Sequence, residues 1–308
     1  MLRPFGARND ALIVASKPDP KRLLAHLEKI SRERNFETSP EILIETQSYL
    51  GKELRSYGFE VLEEKFSYLN RSFSNLIARL GLASDRPRII LGAHFDSVPG
   101  SPGADDNASG VAALLEVARL FSDSQKTTAL KSSSVEFAFF NLEEYGMIGS
   151  RFHARKLKKE KIPVKGMLSL EMVAYTSREK NSQKMPFVLK PFYPDVGSFI
   201  GLVADTGSKE WLDEVKKIFS GVAGLWVESL VLPAKGWIFP DARLSDHSPF
   251  WDEGFPALLV TDTSFYRNPY YHTGKDTIET LDLEFLSGVT EAVFQTALQA
   301  SQGQIERR

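Results

Sequence analysis

Hydrophobic positions along the chain switch between two periods, and the switches mark its elements. Over residues 20–34, Leu23, Leu24, Leu27 and Ile30 recur at helical spacing. Ser39-Pro40 reads as a cap followed by proline at the first helical position. Leu43, Thr46, Leu50 and Leu54 then carry one apolar face on to Tyr57, where Gly58 is the stop. Residues 59–66 and 75–80 read as two strands paired in a hairpin. Residues 88–93, 135–140 (VEFAFF) and 166–171 are continuous apolar runs, the pattern of strands buried on both faces. Residues 109–121 and 149–157 between them return to helical spacing, with Val111, Leu114, Leu115 and Ala118 on the inner face of the first. A late strand is predicted over 256–260 and a closing helix over 284–300. This alternation predicts the α/β class: a three-layer α/β/α sandwich around a mixed, mostly parallel central sheet.

Composition adds boundaries. Residues 20–308 read as a single domain behind an N-terminal extension, 1–19. Residues 178–245 are rich in Pro, Gly and Trp, with one clear helix near 208–219, and read as insertions that shape a cleft. A net charge of −2 recruits neither nucleic acid nor an anionic membrane. The basic run 155–161 reads as a solvated helix face. The absence of cysteine excludes disulfides, thiolate metal sites and cysteine nucleophiles. The apolar stretch 11–15 is too short for a signal-peptide core, and no apolar run has membrane-spanning length, so the expected location is cytoplasmic.

Acids and histidines gather just after the predicted strands: His94, Asp96, Asp105 and Asp106, then Glu143 and Glu144, then Glu171, then His272 in NPYYHTGKDT. In α/β sheets, ligands collect at the carboxyl ends of strands, so these clusters can converge on one crevice. Imidazole and carboxylate suit zinc, and two neighbouring ions need a shared carboxylate. Two Zn²⁺ are balanced by Asp105, Glu144, Glu171 and a bridging hydroxide, which leaves each ion four-coordinate. Of the paired glutamates, one binds metal and its neighbour is free to take a proton from the bridging water.

The segments GAHFDS, PGADDNASG, LEEYGMIGS, LSLEM and SDHSPFWDEGFPALLVTDT, followed by YHTGKDT, occur in an order that resembles the M28 zinc metallopeptidases, from about Pro40 to the C-terminus. The resemblance implies that His94 and Glu171 serve one zinc and Glu144 and His272 the other. It further implies that Asp105 bridges them, that Glu143 is the general base and that Asp96 orients His94. It implies a cis peptide between Asp105 and Asp106; Asp106 itself reads as structural, holding the loop bend. One departure is Glu171, where many members of the family have aspartate. The function implied is a di-zinc exopeptidase that hydrolyses N-terminal residues from peptides, with a pocket from 178–270 choosing the residue. The similarity extends to single-zinc glutaminyl cyclases, but the intact Glu143-Glu144 pair and Asp105 favour the peptidase branch.

Other features read as structural. His26 and His153 fall in predicted helices, and the resemblance implies that His247 of SDH shapes the site without binding metal. The sequons at Asn70 and Asn107 are set aside, the second because it lies beside a proposed ligand. Two alternatives stay open. A carboxypeptidase or dipeptidase would use the same metals and clamp a substrate carboxylate with Arg267 or Arg243. A non-catalytic relative would keep the fold as a binding module.

Overall fold

The computed structural model describes residues 17–81, 86–127 and 134–301. The apolar stretch 11–15 lies outside them. Helices α1 (Pro20–Ile30) and α2 (Pro40–Ser56) open the described chain. Gly58, at φ +93°, takes the left-handed conformation that stops α2. Strands β1 (Glu60–Tyr68) and β2 (Arg71–Arg79) then form the expected antiparallel hairpin. The rest runs β3 (Arg88–His94), α3 (Gly110–Thr127), β4 (Val135–Phe140), α4 (Ile148–Lys159), β5 (Val164–Glu171), β6 (Phe199–Asp205), α5 (Lys209–Phe219), β7 (Trp226–Leu232), α6 (His247–Glu253), β8 (Ala257–Thr261) and α7 (Leu283–Ser301).

All eight strands form one sheet, ordered β1-β2-β4-β3-β5-β8-β6-β7. The pairs β4–β3, β3–β5, β5–β8 and β6–β7 are parallel, and the other three are antiparallel. The mixed, mostly parallel sheet is the expected one. Residues 178–245, however, contribute two strands to it, where only α5 was expected. Gly201 interrupts β6, and Glu228 and Ser229 lie in β7, a half-exposed edge strand. Neither strand shows the uninterrupted apolar run of a central strand.

The two faces of the sheet differ. Val135, Phe137 and Phe139 of β4 point into the larger core, shared with Leu91, Leu168, Leu258 and helices α1, α2, α3, α5 and α7. Ala138 and Phe140 point the other way, to a smaller core with Ile90, Met167 and residues of α4 and α6. Alternation within each strand sets these faces. Among the described residues, no helix is long and apolar enough to cross a membrane.

Beside the smaller core sits a buried ion cluster away from the site described below. His153 of α4 reaches Glu64 at 2.9 Å and Glu136 at 3.1 Å. Arg79 and Arg88 pair with Glu136, and Lys156 with Glu64. Burial alone would lower His153, but the two glutamates raise it to about 9. Burial alone would raise the glutamates, but His153 and its cationic neighbours hold both at about 2. The raised histidine stabilises the fold fully below its ordinary value of 6.5, and that contribution is lost as pH rises through about 9. The depressed glutamates contribute above 4.5, and that contribution is lost as pH falls toward 2. Replacing His153 by Gln leaves two buried carboxylates short of a partner, for a loss of about 3–5 kcal/mol. In chemical denaturation, the difference from wild type should be widest between pH 4.5 and 6.5 and should shrink above about 9. A difference independent of pH would contradict this account.

Candidate metal centre and substrate cleft

The carboxyl ends of β3, β5 and β8 are neighbours in the sheet, and β4 flanks β3. His94 ends β3 and Glu171 ends β5. Glu143 and Glu144 follow β4 in a tight turn closed by bonds from the Gly146 and Met147 amides to the Glu143 carbonyl. His272 lies in the loop after β8, at φ +57°. Parallel order thus brings together side chains from four distant segments.

Two triads result, and they share Asp106. His94 Nε2 lies 3.3 Å from Asp106 Oδ1 and 3.2 Å from Glu171 Oε2. His272 Nε2 lies 3.0 Å from Asp106 Oδ2 and 3.2 Å from Glu144 Oε2. Asp106 therefore offers one oxygen to each side. Asp105, expected in that place, is turned away. Its Oδ1 accepts from the Ala174 amide at 3.1 Å and its Oδ2 from Asn268 Nδ2 at 2.8 Å, and it pairs with the buried Asp262. The cis peptide likewise joins Asp106 to Asn107, not Asp105 to Asp106. The expectation is corrected by one residue, because the loop is held from both sides at a fixed phase. Asp276 accepts from the Asp105 amide at 2.8 Å and the Asp106 amide at 3.1 Å. On the other side, the fully buried guanidinium of Arg34 donates to the carbonyls of Phe95, Pro102 and Gly103. Gly103, at φ +58°, is required there, since a Cβ would fall 2.2 Å from the Asp106 carbonyl.

The supporting contacts were only partly legible. Asp96 lies 3.5 Å from His94 Nδ1, and its two oxygens accept from the Glu143 and Glu144 amides at 3.0 and 3.2 Å. One carboxylate thus fixes the spacing between the first histidine and the glutamate pair. Ser245 donates to Glu171 at 2.8 Å. Asn107 is buried, bonded to the Leu170 carbonyl and to the Gly110 and Met172 amides. Arg34, Asp276, Ser245 and Asn268 were missed, because nothing in their local sequence shows which remote segment they meet. His247 is buried with its Nε2 on the Ala242 carbonyl and belongs to neither triad.

The electrostatics fit a cation site. Asp96, Asp105, Asp106, Glu144, Glu171 and Asp246 crowd with Glu143 into a nearly dry volume. Burial, reinforced by Glu171, Glu144 and Asp246, drives Glu143 well above the usual carboxyl range. Burial and Asp106 bring Glu144 to about 8. Burial would lower His94 and His272, but the surrounding carboxylates raise His94 strongly and His272 to about 10. Neither ring nitrogen of His94 nor Glu144 Oε1 makes a well-formed hydrogen bond, although each is buried. Donor atoms that crowd one point without bonding each other, in a surplus of negative charge, suit divalent cations.

A cleft of about 950 Å³, counting its open mouth, adjoins the triads, and Asp106, Glu143, Glu144 and Glu171 line its inner end. Among the described residues, no lysine or arginine lines it. Arg267 is buried behind it, over the Phe199 ring at 4.6 Å, with Nε on Gln183 at 2.9 Å. Arg243 pairs with Asp252 at 2.8 Å and stacks on Trp237 at 3.9 Å.

The family model described as Peptidase family M28 matches residues 75–297, most of the chain. The uncharacterized protein YfbL of Escherichia coli is 36% identical over 80% of this chain and 76% of its own length. A probable leucine aminopeptidase of Arthroderma otae is 30% identical over 72% of this chain, and the chain spans 55% of that protein. Among solved structures, LapA of Legionella pneumophila superposes with a TM-score of 0.74 at 22% identity, over 92% of this chain and 74% of that one. A zinc aminopeptidase of Bacillus subtilis superposes with a TM-score of 0.53 at 27% identity, over 75% of this chain and 51% of that one. The motifs, the family match and the YfbL likeness agree: the chain belongs to peptidase family M28.

Proposed function

We propose that the protein is a two-zinc aminopeptidase that removes N-terminal residues from peptides. The observation that carries this reading is an acidic, cation-suited inner end on a cleft whose lining, among the described residues, contains no lysine or arginine. A free α-amine is attracted to such an end, whereas a substrate carboxylate would need the clamp that Arg267 and Arg243 do not provide. The two triads around Asp106 support two ions over one. The zinc aminopeptidase among the structural relatives supports the choice of metal.

His94, Glu171 and Asp106 would hold one zinc, and His272, Glu144 and Asp106 the other. When bound, the ions polarise the scissile carbonyl and make water more acidic. Glu143 belongs to neither triad, lies 4.0 Å from His94 Nε2 and lines the cleft, so its carboxylate can take the proton from the attacking water. It then passes that proton to the departing amine, which leaves as a neutral group. Asp96 orients His94 and the turn that carries Glu143. Glu171, at the cleft wall, receives the substrate amine.

Amino-blocked and carboxyl-blocked dipeptides test the polarity with zinc-loaded protein. Free-amine substrates with a blocked carboxyl terminus should be hydrolysed and N-acetylated ones left intact. Hydrolysis of the N-acetylated set alone would replace this reading with the carboxypeptidase one.

A further inference from the structure

Strand register places a row of residues across the floor of the cleft. Glu171 of β5 is opposite Thr261 of β8, Thr261 is opposite Gly201 of β6, and Gly201 is opposite Glu228 of β7. Directly paired residues point to the same face of a sheet. Glu171, Thr261, Gly201 and Glu228 all line the cleft. With strands about 4.8 Å apart, the row runs roughly 14 Å from a residue at the metal centre to a carboxylate near the sheet's edge.

Its middle is hollow. Gly201 carries no side chain, and a Cβ there would already lie 3.2 Å from the Thr261 carbonyl. The flanking walls are apolar, with Val203, Leu230, Phe239 and Leu244 among the lining residues. At the far end, Glu228 accepts from Trp226 Nε1 through one oxygen at 2.9 Å. A second carboxylate, Asp241, also lines the cleft, held by the Tyr266 hydroxyl at 2.5 Å. A pocket for leucine-like residues has no use for two carboxylates. An apolar channel that ends in carboxylates with no ion pair among the described residues suits a side chain with a long unbranched stem and a cationic head.

We propose that the cleft selects peptides with lysine or arginine at the N-terminus, and that Glu228 is the specificity-determining residue. This rests on the aminopeptidase reading: the substrate amine at Glu171 directs the side chain along the row toward Glu228.

The test compares lysyl, norleucyl and leucyl p-nitroanilides with zinc-loaded protein at neutral pH and low salt. Norleucine keeps an unbranched apolar stem and lacks the charge. The lysyl-to-norleucyl ratio of kcat/KM should be on the order of ten or more, and should shrink as salt screens the carboxylates. Glu228→Gln should lower that ratio about tenfold. A ratio measured within one preparation does not depend on the fraction of folded enzyme. A wild-type ratio near one or below, or a ratio unchanged in Glu228→Gln, overturns the proposal while the aminopeptidase reading stands. If none of the three substrates is cleaved, the aminopeptidase reading fails and this assignment fails with it.

Discussion

Glu143→Ala should lower kcat by about 10²–10⁴-fold while the protein still binds two zinc ions per chain. The two halves of that expectation come from different parts of the geometry. Glu143 is adjacent in sequence to Glu144, yet only Glu144 lies in a triad with Asp106 and His272. Removing Glu143 therefore takes away no proposed ligand. The turn that carries both residues is held through backbone amides on Asp96, and these bonds survive the substitution. What is lost is a carboxylate at the cleft wall that belongs to neither triad. Because the proton transfer occurs in the transition state, KM should change far less than kcat. Zinc content measured beside steady-state kinetics decides the matter. An alanine variant that turns over at the ordinary rate would remove Glu143 from the mechanism.

The second large effect separates two adjacent aspartates. Asp106→Ala removes the carboxylate common to both triads, and zinc affinity should fall by on the order of 100-fold or more, with turnover lost alongside it. Asp105→Asn should behave differently. Its carboxyl group faces the Ala174 amide, Asn268 and Asp262, away from the histidines. The amide can keep part of that network, so two zinc ions should still bind while stability drops by about 1–3 kcal/mol. Zinc titration and thermal unfolding of the two variants together test the correction. Loss of zinc in Asp105→Asn with retention in Asp106→Ala would restore the original expectation.

Much of this molecule was written in local pattern. VEFAFF could only be a buried strand, since its alternate residues feed two separate cores. The histidines and glutamates that follow the strands could be placed at one sheet end because parallel order leaves little choice. His94, Glu144, Glu171 and His272 come together as the motifs implied. Strands β6 and β7 were hidden because a glycine and an edge position blur the hydrophobic period on which strand recognition depends.

The sequence by itself determined the strand–helix order outside residues 178–245, the sheet end where the acids and histidines gather and the donor types, because these follow from periodicity and residue identity within short windows. Only the tertiary structure decided which of two neighbouring aspartates faces the histidines. That choice is made by Asp276 and Arg34, about 170 and 70 residues away, which grip the loop backbone and set its phase. It alone also lined up Glu171, Thr261, Gly201 and Glu228. Register between strands is a long-range property, fixed by pairing and packing, and no local window contains it.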